Sequence, residues 1–126
     1  MIKLFKSKKL LLRIGINEME LVDLSTNKSV KKVAEPPFSR NELLIGEFTV
    51  AYSLLLELLD TLYGRKTFYP RRDVAVHPRT ENNTPLREIE KSTITDLCKQ
   101  AGMYKIVIAD PNETVNHQKA LTLLSK

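Results

Sequence analysis

The chain has 126 residues, of which 42% are hydrophobic and 28% charged, and its formal net charge is +5. This composition fits a soluble globular fold, and no run approaches the roughly 18 consecutive apolar residues of a membrane span. A single cysteine, Cys98, excludes a disulfide scaffold. The basic N-terminus lacks a signal-peptide cleavage site. We therefore expect one domain, residues 1–126, in the cytoplasm.

The first third of the chain predicts three β-strands joined by short turns. The first run is almost wholly apolar, the second alternates with Met19, Leu21 and Asp23 on one face, and the third is more polar. Turn-forming residues fill 25–28. Three such strands form an antiparallel meander. The predicted strands are residues 8–16, 18–24 and 29–35.

The rest of the chain alternates helices and strands, which implies right-handed crossovers and parallel strands. Glycines follow the two longer helices, and Thr84 with Pro85 is a typical helix start. The predicted elements are a helix over 47–63, a strand over 73–78, a helix over 84–102, a strand over 104–110 and a weaker helix over 113–125. The apolar stripe of the second helix is Leu86, Ile89, Ile94, Leu97 and Ala101. The expected fold class is α/β, a mixed five-stranded sheet with helices, of ribonuclease-H-like or actin-like architecture.

Three segments, in this order, resemble the first lobe of the MreB family, the bacterial actins that determine rod shape. They are residues 1–36, LIGEFTVAYSLLLELL (44–59) and VAVHPRTENNTPLREIEKSTITDLCKQAGMYKIVIADP (74–111). The similarity extends over roughly residues 1–115 and covers one of the two lobes of that family. It implies an actin-like ATPase subdomain.

The resemblance implies a phosphate-binding turn of the Asp-X-Gly-Thr type between the first two strands. In that family the acid helps to hold a metal ion, and the backbone and hydroxyl hold phosphate. The corresponding residues here are Arg13, Gly15, Ile16 and Asn17. Gly15 retains the bend, but a cation repels Mg²⁺ and isoleucine offers no hydrogen bond. The acid that the family uses to position water corresponds to Asp110. We expect a degenerate phosphate turn with no cofactor, no metal and no enzymatic activity.

Two groups of basic residues could meet an anionic surface, either nucleic acid or lipid. The N-terminal group also has an apolar arc that would suit peripheral membrane contact, but Lys8 and Lys9 interrupt it, which favours a frayed or strand-forming terminus. Few aromatic residues lie among these cations, which favours a plain role in solubility over single-strand binding. The candidate contacts are Lys3, Lys6, Lys8, Lys9, Arg71 and Arg72.

Three hypotheses about function follow. The first is a non-catalytic protein-interaction or scaffold module of bacterial cell-shape or cytoskeletal machinery, with a cytoskeletal or envelope-associated partner or a second copy in a homodimer. The second is a basic nucleic-acid-binding protein. The third is a metal-dependent phosphohydrolase that uses Asp110 and Asp73. The histidines and Cys98 have no metal-binding spacing, so we expect His77 at the surface and Cys98 in the core.

Overall fold

The computed structural model of the chain describes residues 7–40, 42–64 and 71–126. These residues form strands, helices and one short 3₁₀ turn at Glu81–Asn83. The elements are β1 (Lys8–Gly15), β2 (Glu18–Asp23), β3 (Ser29–Val33), α1 (Phe48–Tyr63), β4 (Arg72–Pro78), α2 (Glu88–Gln100), β5 (Met103–Ile108) and α3 (His117–Leu124).

The five strands form one mixed sheet in the order β3-β2-β1-β4-β5. The β1–β2 and β2–β3 pairs are antiparallel, whereas β1–β4 and β4–β5 are parallel. The predicted meander with added parallel strands is therefore confirmed. As a consequence, the carboxyl ends of β1, β4 and β5 meet at one edge of the sheet, the edge where ligands bind in α/β folds.

Helices cover both faces of the sheet. Helices α1 and α2 pack on one face, against side chains such as Leu12, and α3 packs on the other, against Leu11 and Ala75. Apolar residues at helical spacing from Val50 to Leu62 predict a buried stripe on α1, and the helix buries it except at these two end residues, which are half-buried. Burying each leucine of this stripe contributes about 1.5–3 kcal/mol. The buried residues of α1 are Ala51, Leu54, Leu55, Leu58 and Leu59.

Helix α2 begins at Glu88, four residues later than predicted. Thr84 and Arg87 have extended backbone, with ψ of 131° and 162°, so the predicted first turn of the helix does not form. The Glu90 carboxylate accepts the N–H of Arg87 at 3.1 Å and so fixes the new start. Ile89 was expected in the buried stripe but is 67% exposed, and Glu90 takes the inward position instead.

Strand β5 ends two residues earlier than predicted, and α3 begins four residues later. The chain turns at 110–113, where the Glu113 carboxylate accepts the N–H of Asp110 at 2.9 Å. The Asn116 side chain then caps α3 by accepting the N–H of Lys119 at 2.8 Å.

Asp23 fixes the C-terminal end of α1 to the sheet. Its buried carboxylate accepts a hydrogen bond from the Tyr63 hydroxyl at 2.7 Å and bonds from the Ser25 amide and hydroxyl at 2.9 and 2.7 Å. Burial raises the pKa of Asp23, but hydrogen bonds from Tyr63, Ser25 and Thr26 together bring its pKa below the ordinary value.

Tyr63→Phe is expected to lower the free energy of unfolding by about 1–2 kcal/mol at pH 7, because the Asp23 carboxylate loses a buried donor. The stabilisation by ionised Asp23 is present above its unfolded pKa and is lost as pH falls through its lower folded pKa, so the difference should shrink in acid. Urea denaturation measures it. Tyr52→Phe is the control, because its hydroxyl donates to the Gln100 carbonyl at an exposed position. Equal losses in the two variants would contradict the anchoring role.

Candidate functional site

A cleft of about 730 Å³ lies at the edge where β1, β4 and β5 end. The β1–β2 turn forms one wall, the loop between β5 and α3 forms the opposite wall, and residues 79–83 after β4 close the side. The predicted phosphate turn is therefore part of a concave site.

The floor of the cleft is a row of three polar residues from adjacent strands. Arg13 on β1 pairs in register with Glu20 on β2 and with His77 on β4. Side chains alternate between the faces of a sheet. Leu11 and Ala75, two residues earlier on their strands, pack on the α3 face. The row therefore lies on the α3 face, at its carboxyl edge.

Arg13 is bound within the protein on two sides. Its Nη1 donates to Glu20 Oε1 at 3.1 Å, and its Nη2 donates to the Val115 carbonyl at 2.9 Å. The side chains of Arg13 and Glu20 are only 25% and 28% exposed. A typical intramolecular hydrogen bond contributes about 0.5–1.5 kcal/mol, and the two bonds of Arg13 join β1, β2 and the loop before α3.

The bend of the hairpin lies at Asn17 rather than at Gly15. Gly15 pairs with Glu18, which leaves a two-residue loop. Within it, Asn17 has φ of 58°, a left-handed conformation that asparagine tolerates. The Asn17 amide group accepts the Ser39 N–H at 2.7 Å, which fixes the turn against the neighbouring loop. Ile16 is 54% exposed at the mouth of the cleft and offers no polar group there.

These residues do not fit the magnesium nucleotide that an actin-like family implies. Mg²⁺ needs carboxylate oxygens that are free to coordinate or to hold its waters. Glu20 is paired with Arg13, Glu18 lies 3.9 Å from Lys31, and Glu113 lies 3.1 Å from the Lys119 amine. Across residues 7–40, 42–64 and 71–126, no three acidic, histidine or cysteine side chains are grouped to hold a metal ion.

Asp110 and Asp73 do not come together. The Asp110 carboxylate accepts the Asn112 N–H at 3.3 Å and so closes its own turn. Asp73 lies at the amino end of β4, where Arg71 donates to it at 2.9 Å. Asp73 is in register with Lys105, so Asp110 lies five residues further along, about 16 Å at the rise of a strand. The two aspartates are thus scattered, as we expect from the sequence, and the phosphohydrolase hypothesis lacks the pairing that it requires.

The sheet brings four of the predicted basic residues together at the amino ends of β1 and β4. Lys8 is in register with Arg72. Arg72 is only 7% exposed and lies over the ring of Tyr63, so the surface contact predicted for it does not hold. Lys9 is exposed. Lys3 and Lys6 lie outside the described residues.

Acidic residues balance part of this basic group. Arg71 donates to Asp73 and lies 4.0 Å from the centre of the Tyr104 ring. The Lys8 amine lies 4.0 Å from the Asp23 carboxylate. The candidate anionic contacts are therefore adjacent in space, but two of their charges already face carboxylates.

His77 is 9% exposed, so its predicted surface position is wrong. Burial lowers the pKa of its ring, and the nearby charges of Arg13 and Arg79 lower it further. The buried apolar run that precedes it continues to the strand end, a signal that could have placed His77 inside. Cys98 is fully buried as predicted, and burial raises its pKa to about 12.

No protein-family model and no curated protein matches the chain. Among solved structures, it is similar to the ethanolamine utilization protein EutJ from Carboxydothermus hydrogenoformans, with a TM-score of 0.55 and 17% sequence identity. The similarity covers 82% of this chain and 37% of that protein, so the chain spans little more than a third of its length. Identity this low shows the fold alone. EutJ has the actin-like ATPase fold, so this chain has an α/β actin-like fold, as predicted.

The similarity to EutJ supports the actin-like fold and not the MreB family in particular. Within the described ranges, none of the helices combines the length and the hydrophobicity that crossing a membrane requires.

Arg13→Met is expected to lower the free energy of unfolding by about 1–3 kcal/mol, because the Glu20 carboxylate and the Val115 carbonyl lose their donor. Arg13→Asp should cost more, because it places two carboxylates opposite each other in the ladder. Urea denaturation at pH 7 measures both. Arg40→Met, which removes an exposed ion pair with Glu47, should change stability by less than about 1 kcal/mol. A loss in the free energy of unfolding as small as that of Arg40→Met would contradict the role of Arg13 in joining β1, β2 and the loop before α3.

Proposed function

We propose that this chain is a non-catalytic actin-like module that acts by binding another protein rather than by turning over a nucleotide. The observation that carries the proposal is the position of the Arg13 guanidinium, which stands where the resembled family has its metal-holding acid and donates to Glu20 and Val115. The Arg13–Glu20 pair leaves no free carboxylate at this position to coordinate Mg²⁺. The further assignment to cell-shape or cytoskeletal machinery, with a cytoskeletal or envelope-associated partner, rests on the resemblance to MreB.

The open edge of β5 supports a role in protein binding. Strand β5 lies at one end of the sheet, and its side chains Ile106, Val107 and Ile108 are half-buried. The strand has a single cation, Lys105, whose amine donates to the Leu124 carbonyl at 2.8 Å and is thus directed toward α3. An apolar edge strand without a protecting charge is a template for pairing with another strand.

The other edge strand, β3, is better protected. It carries Lys31 and Lys32 in a five-residue strand with exposed side chains. Short, lysine-bearing edges resist pairing with other strands. A partner strand is therefore expected on β5 rather than on β3.

The backbone groups that are open for pairing follow from the hydrogen bonds of the sheet. The N–H of Ala109 donates to the Val76 carbonyl at 2.8 Å, toward β4. Because successive amides of a strand point to opposite sides, the amide of Val107 also points toward β4. The amides of Ile106 and Ile108 then point to the open edge.

Ile106→Pro is expected to weaken partner binding at least tenfold, because proline removes an outward amide without removing a bond to β4. The test uses the tagged full chain to isolate a partner from its native host, followed by affinity measurement with the purified pair. Lys31→Pro is the matched control and should leave binding intact. The Ala34 N–H donates toward β2. Because successive amides alternate, the amide of Lys31 points outward at the β3 edge, so this proline also removes only an outward amide.

Hydrogen exchange provides a second measurement on the unaltered chain. We expect the amides of Ile106 and Ile108 to exchange fast in the free chain and to become protected in the complex, whereas Val107 is protected in both. A partner that binds equally to Ile106→Pro and leaves both amides unprotected would contradict the β5 proposal. Recovery of nucleic acid alone would contradict the protein-binding role itself.

Nucleic-acid binding is the second candidate, and the net charge of +5 favours it. Its signature would be a gel shift whose affinity falls steeply with salt. The acids that face Lys8 and Arg71 reduce the charge available for phosphate contacts. We therefore expect no shift at about 0.15 M salt, near physiological ionic strength.

A further inference from the structure

His77 has two ring nitrogens that are buried and have no hydrogen-bond partner. The backbone at Pro111 and Glu113 lies near enough to favour the charged ring, yet neither group meets hydrogen-bond geometry with it. A buried polar group without a partner costs about 1–3 kcal/mol. Such groups are rare in native proteins and are explained by a function or a bound molecule. The ring lines the cleft, so a ligand in the cleft could supply the missing partner.

Arg79 supplies a cation beside this ring. It lies two residues beyond His77, and its backbone N–H donates to the Ile14 carbonyl at 2.7 Å, which continues the strand pairing. The Arg79 side chain therefore lies on the same side as His77, and it lines the same cleft. Its guanidinium is exposed and forms no ion pair or hydrogen bond with any residue in the described ranges.

The charges around His77 leave Arg79 uncompensated. Arg13 of β1 is neutralised by Glu20 of β2. The two remaining acids of the cleft are also paired, since Glu18 faces Lys31 and Glu113 faces Lys119. Burial, with the nearby arginines, keeps the pKa of His77 below its usual range. At neutral pH the ring is therefore uncharged and offers one N–H donor and one acceptor nitrogen.

We propose that the cleft is a metal-free binding site for a small oxyanion, a carboxylate or phosphate group, held between the Arg79 guanidinium and the His77 ring. Arginine binds such groups through two parallel hydrogen bonds, and the histidine N–H can donate a third. The proposal goes beyond the protein-binding function and does not depend on it.

The test follows the two histidines by NMR, because His117 is only half-buried and lies outside the cleft, which makes it an internal control. Phosphate, acetate and chloride are titrated separately at constant ionic strength. We expect saturable shifts of the His77 signals with phosphate or acetate and no such shifts of His117. A bound anion favours the imidazolium and so raises the pKa of His77. Acetate should therefore bind more tightly below this pKa than above it, by about tenfold for each unit of that rise. The preferred oxyanion identifies the ligand class.

Two variants locate the site. Arg79→Gln should weaken oxyanion binding at least tenfold. His77→Asn should remove the pH dependence of acetate binding, because acetate, unlike phosphate, does not itself titrate near neutral pH. Arg40→Gln makes the same charge change outside the cleft and should leave binding intact. Circular dichroism verifies the fold of each variant. Equal binding of chloride, a requirement for Mg²⁺, or wild-type affinity in Arg79→Gln would each overturn the proposal. None of these results would bear on partner binding at β5.

Discussion

The bond network of Arg13 is the interaction on which both the fold and the cleft depend. Its guanidinium joins β1 to β2 through Glu20, and it joins both strands to the loop before α3 through the Val115 carbonyl. That loop carries the helix that covers the second face of the sheet. Arg13, which we propose stands at the position of a metal-holding acid, therefore also joins these elements. An acid at this position would lose both hydrogen bonds and place two carboxylates together.

The cleft has the position of a ligand site in an α/β fold, but its side chains do not provide the charges that a magnesium nucleotide requires. Its position at the carboxyl ends of parallel strands follows from the sheet order alone. Its chemistry follows from side chains, because Arg13 supplies a cation, Ile16 supplies an apolar mouth and His77 supplies an uncharged buried ring. A fold shared with ATPases thus does not by itself define an activity, which must be argued from the site.

Periodicity predicted most of the fold from the sequence. Three features determine which faces of the elements meet, and the sequence predicts all of them. They are the apolar stripe of α1, the alternation of β2 and the order of helices and strands. The start of α2 was not, because the extended backbone from Thr84 to Arg87 and the bond from the Arg87 N–H to Glu90 are local features that compete with the apolar pattern.

Part of the site could also have been predicted from the sequence. Once β4 and β5 are taken as parallel, Asp73 at the start of one strand and Asp110 after the other must lie at opposite edges. The row from Glu20 through Arg13 to His77 needs the strand register, which a single sequence does not determine. The central claim is that the pairing of Arg13 with Glu20 leaves no carboxylate to hold a magnesium nucleotide. Titration calorimetry of the full chain with ATP, with and without Mg²⁺, tests it most directly. We predict no binding of Mg·ATP tighter than about 1 mM, which is about −4 kcal/mol, and no strengthening by Mg²⁺. Stoichiometric binding that requires Mg²⁺ would contradict the claim.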